Sequence, residues 1–323
     1  MKILVEIPNW LGDAVMATPA VQNLITTYPD AKITILGSYT SSFVFKNYPN
    51  VEKFMINESK KGGNRFLNLI KLAKSLGEFD LAISFRRSFS SKFMMFFINS
   101  KRKFQYRRLT KNEIHLAIRY NDFLNKALGI NTKAGDLKLY YNAFKFPKPT
   151  LGINPGATYG SAKRWYPEEF AKVAIELSKT YNIVIFGGKT EVEIANDIEQ
   201  ILVLSEVKNY QNLAGKTSVS ELIEKIAGLS LFITNDSGPM HIAAAFKIPT
   251  IAIFGPTKFS ETSQWQNTFG KIVTKNLACS PCMKRTCPLK HHNCMKMITA
   301  DDVLEAINEP KKVKTEKEKN EKI

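Results

Sequence analysis

Short apolar runs alternate with longer amphipathic stretches along most of the chain, the pattern of buried strands connected by helices. KILVEI (2–7) reads as a strand, DAVMATPAVQNLITTY (13–28) as a helix kinked at Pro19, and KITILG (32–37) as the next strand. Together they make a βαβ unit. DLAISF (80–85) continues the alternation, which runs on to the Leu-Tyr pair ending at Tyr140. NAFKFPKPT (142–150) then interrupts it with two prolines and no periodicity, so a domain boundary is expected there.

Beyond that break the pattern restarts. TLGINPGA (150–157) reads as strand and loop, PEEFAKVAIELSKTY (167–181) as a helix opened by Pro and two Glu, and NIVIFGG (182–188) as a strand. SVSELIEKIAGLS (218–230) is a helix, LFIT (231–234) a strand, PMHIAAAF (239–246) a helix with Pro239 in its first turn, and IPTIAIFGPT (248–257) a strand ending in a turn. Two αβ domains in tandem follow: residues 1–149 and 150–309, with the carboxyl edges of two parallel sheets facing across a cleft. The last segment, 310–323, is nearly all charge and is expected to be disordered.

A length of 323 residues suits two domains of ordinary size, and 44% hydrophobic residues suits a globular protein. No window approaches a membrane span, and the first apolar run stops at Pro8, too early for a signal peptide. A cytoplasmic location is expected. The formal charge of +17 is concentrated: between Lys60 and Arg119 there are fifteen Lys or Arg against Glu78, Asp80 and Glu113. Such a field attracts polyanions, whether nucleic acid, an anionic membrane surface or a phosphorylated substrate, although a Lys-rich composition gives a basic surface without any partner. Within this segment FMMFFI (93–98) reads as a helix packed on the sheet, with a helix dipping into a membrane interface as the alternative.

Candidate chemistry sits at three places. In TNDSGPMHIAAA (234–245) a strand turns into a helix whose cap is Asp236 or Ser237. Its unpaired N–H groups suit a phosphate and His241 adds a donor one turn in; ordinary capping explains the same residue types. The first βα turn, PNWLGDAV (8–15), has one glycine where a dinucleotide fingerprint needs three, so no nicotinamide or flavin is expected. It offers Asp13 at a helix start, an N-cap or a general base. Cys279, Cys282, Cys287 and Cys294, with His291 and His292 nearby, could close a structural zinc site or stand as reduced packed thiols; reducing cytosol argues against a disulfide.

NWLGDAVMATPA near the start, NPGATYGSAKRWYP (154–167), NLAGKTS (212–218), TNDSGPMH and FGPT occur in the order and spacing of the bacterial lipopolysaccharide heptosyltransferases of glycosyltransferase family 9. The resemblance runs from residue 1 to about 308, and the ending CSPCMKRTCPLKHHNCM with ITADDVLEAI is most similar to the heptosyltransferase II branch. It implies a GT-B fold of two Rossmann-like domains. The implied activity is inverting transfer of L-glycero-D-manno-heptose from ADP-heptose to the inner core of lipopolysaccharide, with no required cofactor. By the same resemblance Asp13 is the general base and Lys163 contacts the phosphates. Thr158 falls in the nucleotide loop, Glu191 is a candidate for the ribose hydroxyls, Asp236 holds hydroxyls of the donor heptose, and Ser237, Gly238 and His241 face the diphosphate. The basic N-terminal half, Arg86 and Arg87 included, is then matched to an anionic lipid A–Kdo–heptose acceptor at the inner leaflet of the inner membrane.

Two alternatives stand beside this reading. Heptosyltransferase I, or another member acting on a different acceptor, would share fold and donor. A nucleic-acid-binding protein would explain the charge, but the chain lacks an RNP-like, KH or zinc-finger pattern, so no nucleic-acid partner is expected.

Overall fold

The computed structural model describes residues 1–309; the expectation made for 310–323 lies outside them. Strands β1 (Lys2–Glu6), β2 (Lys32–Gly37), β3 (Val51–Ile56), β4 (Glu78–Ser84) and β5 (Asn99–Gln105) form one parallel sheet in the order β3-β2-β1-β4-β5. β6 (Thr150–Asn154), β7 (Asn182–Ile185), β8 (Tyr210–Asn212), β9 (Leu231–Asn235), β10 (Thr250–Phe254) and β11 (Gly270–Thr274) form a second, ordered β11-β10-β9-β6-β7-β8. Every residue of β6, β9 and β10 is buried, as expected where helices cover both faces of a parallel sheet and the strand reads as one apolar run. At the opposite extreme, β5 is NSKRKFQ on an edge, its outward Lys and Arg guarding unpaired backbone groups.

In each sheet the chain reverses its direction of winding once: between β1 and β4 in the first, between β6 and β9 in the second. Loops leaving adjacent strands at such a point diverge to opposite faces and open a crevice at the carboxyl ends. The helix leaving β1 (Leu11–Met16) and the helix leaving β9 (Gly238–Ala245) meet across the gap between the sheets. Glycine makes that approach feasible: a Cβ on Gly12 would stand 2.7 Å from the His241 ring, and one on Gly238 would stand 3.0 Å from Leu11. Ile242 and Ala243 accordingly belong to the same buried cluster as Val5, Ile7 and Val15.

Two local readings change. The expected kinked helix over 13–28 is two helices, Leu11–Met16 and Thr18–Thr27, because Pro19 has no N–H and lies in the first turn of the second, where none is needed. The alternation ends at helix Leu116–Leu128, and residues 129–149 carry no helix or strand; Leu137 and Leu139 are buried while Lys138 is held by its N–H to Thr18 Oγ1 (3.0 Å). The chain then crosses to the second sheet's helices, where Phe144 donates its N–H to Glu224 O (2.8 Å) and Lys225 lies 3.9 Å from the Phe144 ring centre. Helix Gly238–Ala245 has Ser237 at its N-cap, one of the two residues expected there, without a side-chain capping bond.

Candidate active site

The candidate residues all follow the carboxyl ends of strands. Asp13 follows β1, Arg86 and Arg87 follow β4, Thr158 and Lys163 follow β6, Glu191 follows β7, and Asp236 through His241 follow β9.

The centre is a buried ion pair. Lys163 Nζ lies 2.5 Å from Asp236 Oδ2, and the same oxygen accepts from Thr257 Oγ1 at 2.6 Å. With side chains 13% and 4% exposed, neither charge is well hydrated, so each depends on the other. This explains why Asp236 caps nothing: a carboxylate that meets an ammonium in a dry site gains more there than from a backbone N–H. The Ser237 hydroxyl is turned back to the strand ends, accepting from Asn154 Nδ2 (3.3 Å) and lying 3.3 Å from Thr234 Oγ1. Lys163 also sits 4.8 Å from the Tyr159 ring centre, with the Arg285 guanidinium 5.3 Å from the same ring.

Asp13 belongs to the same electrostatic unit. Burial drives its carboxyl up from the ordinary 3.8 to about 6, against the pull of the Lys163 ammonium and with a further push from Asp236. It is not a cap. The helix begins at Leu11 and Trp10 occupies the N-cap position, placing Asp13 inside the first turn with no capping bond to make. A carboxylate that loses its proton near pH 6 is matched to proton abstraction at neutral pH.

His241 lies deeper than the sequence suggests. It is 3% exposed, stacked beneath Gly12, and burial followed by the nearby His115 and Lys163 lowers its pKa to about 3. The imidazole is therefore neutral at any working pH, and its buried Nδ1 has no hydrogen-bond partner among the described residues. Glu191 is also buried, its Oε2 accepting from Gly188 N–H (2.8 Å), with the carboxylate filling the space a Cβ on Gly156 would need. Thr158 is exposed in the loop after β6.

Arg86 and Arg87 separate. Arg86 Nη1 is 2.8 Å from Oε1 of Glu6, a fully buried carboxylate whose other oxygen accepts from Ser84 (2.6 Å) and Ser91. Arg87 is exposed. Arg86→Ala should leave Glu6 charged and unpaired, destabilising the fold by about 3 kcal/mol in urea unfolding, whereas Arg87→Ala should leave stability within about 0.5 kcal/mol of the parent. Glu6 gave no signal in the sequence, since a single acid at the end of a strand reads as surface.

The cysteine segment has a positional role that its spacing did not reveal. Arg285 O accepts from Ala162 N–H (3.0 Å), Met283 O accepts from Tyr159 OH (3.0 Å), and His292 Nε2 lies 2.9 Å from Ala162 O. It clasps the loop carrying Lys163. Cys279, Cys282, Cys287 and Cys294 line one small cavity with His291 and His292; among the described residues no three His, Cys, Asp or Glu stand in an arrangement that could hold a metal ion. Burial, followed by its three sulfur neighbours, pushes the Cys294 thiol up to about 11. Titration with a chromogenic disulfide at pH 8 should show three faster thiols and one, Cys294, that reacts on unfolding. Four slow thiols freed together by a chelator would instead reveal a bound metal.

Further contacts tie the two halves to each other. Arg119 pairs with Glu261 (2.6 Å), Lys258 and Ser260 with Glu113, and His115 stacks on Trp265 at 4.7 Å between ring centres.

The sequence profile described as glycosyltransferase family 9 (heptosyltransferase) matches residues 80–293. The chain is 44% identical over 314 residues to a Campylobacter jejuni protein named lipooligosaccharide heptosyltransferase 2, covering 94% of this chain and 97% of that one. Among solved structures it resembles Escherichia coli ADP-heptose LPS heptosyltransferase II, with a TM-score of 0.79 at 24% identity over 95% of this chain and 98% of that one. It also resembles E. coli heptosyltransferase WaaC with ADP, with a TM-score of 0.75 at 15% identity over 95% and 99%. These likenesses fix the architecture as GT-B, two Rossmann-like αβα halves facing across a cleft.

Proposed function

This chain belongs to glycosyltransferase family 9, and on that premise we propose that it transfers L-glycero-D-manno-heptose from ADP-heptose to the heptose I residue of a lipopolysaccharide or lipooligosaccharide inner core, with inversion. The observation that carries the reading is the coupling of Asp13, from one half, to the buried Lys163–Asp236 pair of the other. A base on one wall and a cation on the facing wall is the arrangement an in-line displacement needs.

In this reading Asp13 takes the proton of the acceptor hydroxyl as that oxygen attacks the anomeric carbon. The bond from that carbon to the β-phosphate oxygen breaks, and its electron pair leaves with ADP. Lys163 and the N-terminal N–H groups of helix Gly238–Ala245 offset the charge that builds on the diphosphate. Both hydrogen bonds described for the Asp236 carboxylate fall on Oδ2, which supports Oδ1 as the acceptor for donor-sugar hydroxyls. Ser237 and Gly238 line the same helix end, Thr158 and Glu191 border the nucleotide side, and neutral His241 lies buried behind that helix end against Gly12. No cofactor is required by these steps.

The exposed cationic surface, Arg87 above all, would meet the phosphates and carboxylates of a lipid A–Kdo–heptose acceptor reached from the cytoplasmic face of the inner membrane. Among the described residues no helix is long and apolar enough to cross a membrane. Arg87→Glu should raise KM for the acceptor by about tenfold at low salt and leave ADP binding unchanged; equal loss for both substrates would count against an acceptor role.

The test of the whole reading is incubation with ADP-heptose and truncated cores carrying no, one or two heptoses, followed by mass spectrometry. Addition of a single heptose to the one-heptose core alone is expected. Addition to the heptose-free core would make the protein a heptosyltransferase I, and addition to none would overturn the reading.

A further inference from the structure

Helices Arg65–Ser75 and Phe89–Phe97 lie side by side on the outer face of the first sheet. Their inward stripes, Leu69 and Ala73 from one and Met94 and Met95 from the other, are buried with Leu4, Leu36 and Ala82 of the sheet. That settles the helix packing expected for FMMFFI but leaves large side chains facing out: Phe66, Leu67, Phe89 and Phe96 are 41%, 57%, 72% and 77% exposed.

These are not scattered singles. Phe66 meets Phe89 at 6.1 Å and Phe93 at 5.0 Å between ring centres, Phe93 meets Phe97 at 5.1 Å, and Phe97 meets Phe96 at 5.2 Å. A row of five rings therefore runs across both helices. Around it stand exposed Lys60, Lys61, Lys71 and Lys92, with Lys101, Arg102 and Lys103 on the adjoining edge strand β5; Lys103 Nζ donates to Phe96 O at 3.0 Å. Nearby acids offset part of this, Glu58 pairing with Lys61 and Asp80 with Lys101, yet the rim stays strongly basic. The row begins at Phe89, two residues after Arg87, so it adjoins the wall of the cleft.

We propose that this aromatic row and its basic rim dock the protein on an anionic lipid bilayer, Phe89 and Phe96 entering the headgroup boundary while Lys and Arg meet lipid phosphates. The chemistry fits that occupant. Aromatic side chains on a helix lying flat supply interfacial burial, each nearby cation adds attraction to a negative leaflet, and neither alone holds a protein there. A second copy of the chain is a poor match, because face-to-face contact would press two cationic rims together. The proposal deepens the function proposed above and rests on it in one respect: a lipid-anchored acceptor gives docking beside Arg87 its purpose.

The test uses the full chain, flotation with vesicles of phosphatidylethanolamine containing about a quarter phosphatidylglycerol, and the double variant Phe89→Ser/Phe96→Ser. The parent should float with these vesicles, lose most binding in phosphatidylcholine, and detach as salt rises. The variant should bind about ten- to a hundredfold more weakly, since two exposed aromatic anchors are lost. Its Tm and its turnover on a deacylated, water-soluble acceptor should equal the parent's. Undiminished vesicle binding by the variant would overturn the proposal, as would a parent that ignores anionic vesicles and instead dimerises through these phenylalanines. Failure of the parent to glycosylate the soluble acceptor would strike the functional reading and leave the vesicle result standing.

Discussion

Asp13→Asn is expected to lower kcat by about a hundred- to ten-thousandfold, because an amide of the same shape has no basic lone pair to take the acceptor proton. The fold should not suffer. Burial raises the Asp13 carboxyl from 3.8 to about 6, so the folded chain holds that proton more tightly than the unfolded chain does. Between those two values the group stabilises the fold increasingly as pH falls, and above pH 6 its buried charge opposes folding. A neutral Asn removes that opposition, so Tm at pH 8 should stay level or rise slightly. For the parent, kcat/KM should fall about tenfold per pH unit below an apparent pKa near 6, and that acid limb should vanish from the residual activity of the variant. Retained turnover in Asp13→Asn would leave the mechanism without a base, since the residue has no capping duty to fall back on.

Breaking the Lys163–Asp236 pair should have the second large effect. Lys163→Ala and Asp236→Ala should each lower turnover by about a hundredfold or more. Either change also strands a buried charge, with Thr257 the remaining partner of Asp236 in the first case, so a loss of about 3 kcal/mol in stability is expected as well. The two consequences can be separated. In Lys163→Met/Asp236→Leu both charges are gone and apolar side chains occupy the space, which should restore much of the stability. If the pair serves the donor, the double variant stays inactive and its ADP binding, measured by calorimetry on folded protein, stays weak. Recovery of turnover together with Tm would reduce the pair to a structural tie.

Much of the architecture was legible in the pattern of the chain. Strands buried on both faces appear as short apolar runs, and NIVIFGG and LFIT read as strands for that reason. β5 escaped, because an edge strand guarded by Lys and Arg looks like a charged loop. The break after Met16 was displaced from the expected kink by the difference between a proline inside a helix and one that starts the next. Asp13 and Asp236 stood out at their strand-to-helix turns, and the resemblance across five ordered motifs added Lys163 and gave each a role, but what each would touch lay outside any local pattern.

What the sequence by itself determined was which side chains stand at strand ends: in an αβ alternation the residue types after each apolar run land on the carboxyl edge whatever the rest of the chain does. Tertiary structure alone decided what those side chains became. Lys163 and Asp236 are 73 residues apart and pair because the crossover sets β6 beside β9. Arg86, one basic residue among fifteen in its segment, became the partner of a carboxylate 80 residues away, while its neighbour Arg87 stayed in water. Asp13 shifted to a pKa near 6 through burial by the fold, with a smaller push from Asp236 and against the pull of Lys163 in the other half. Periodicity records whether a position faces inward; the strength of a charge interaction depends on distance and on the water excluded between partners, and both are set when the two sheets come together.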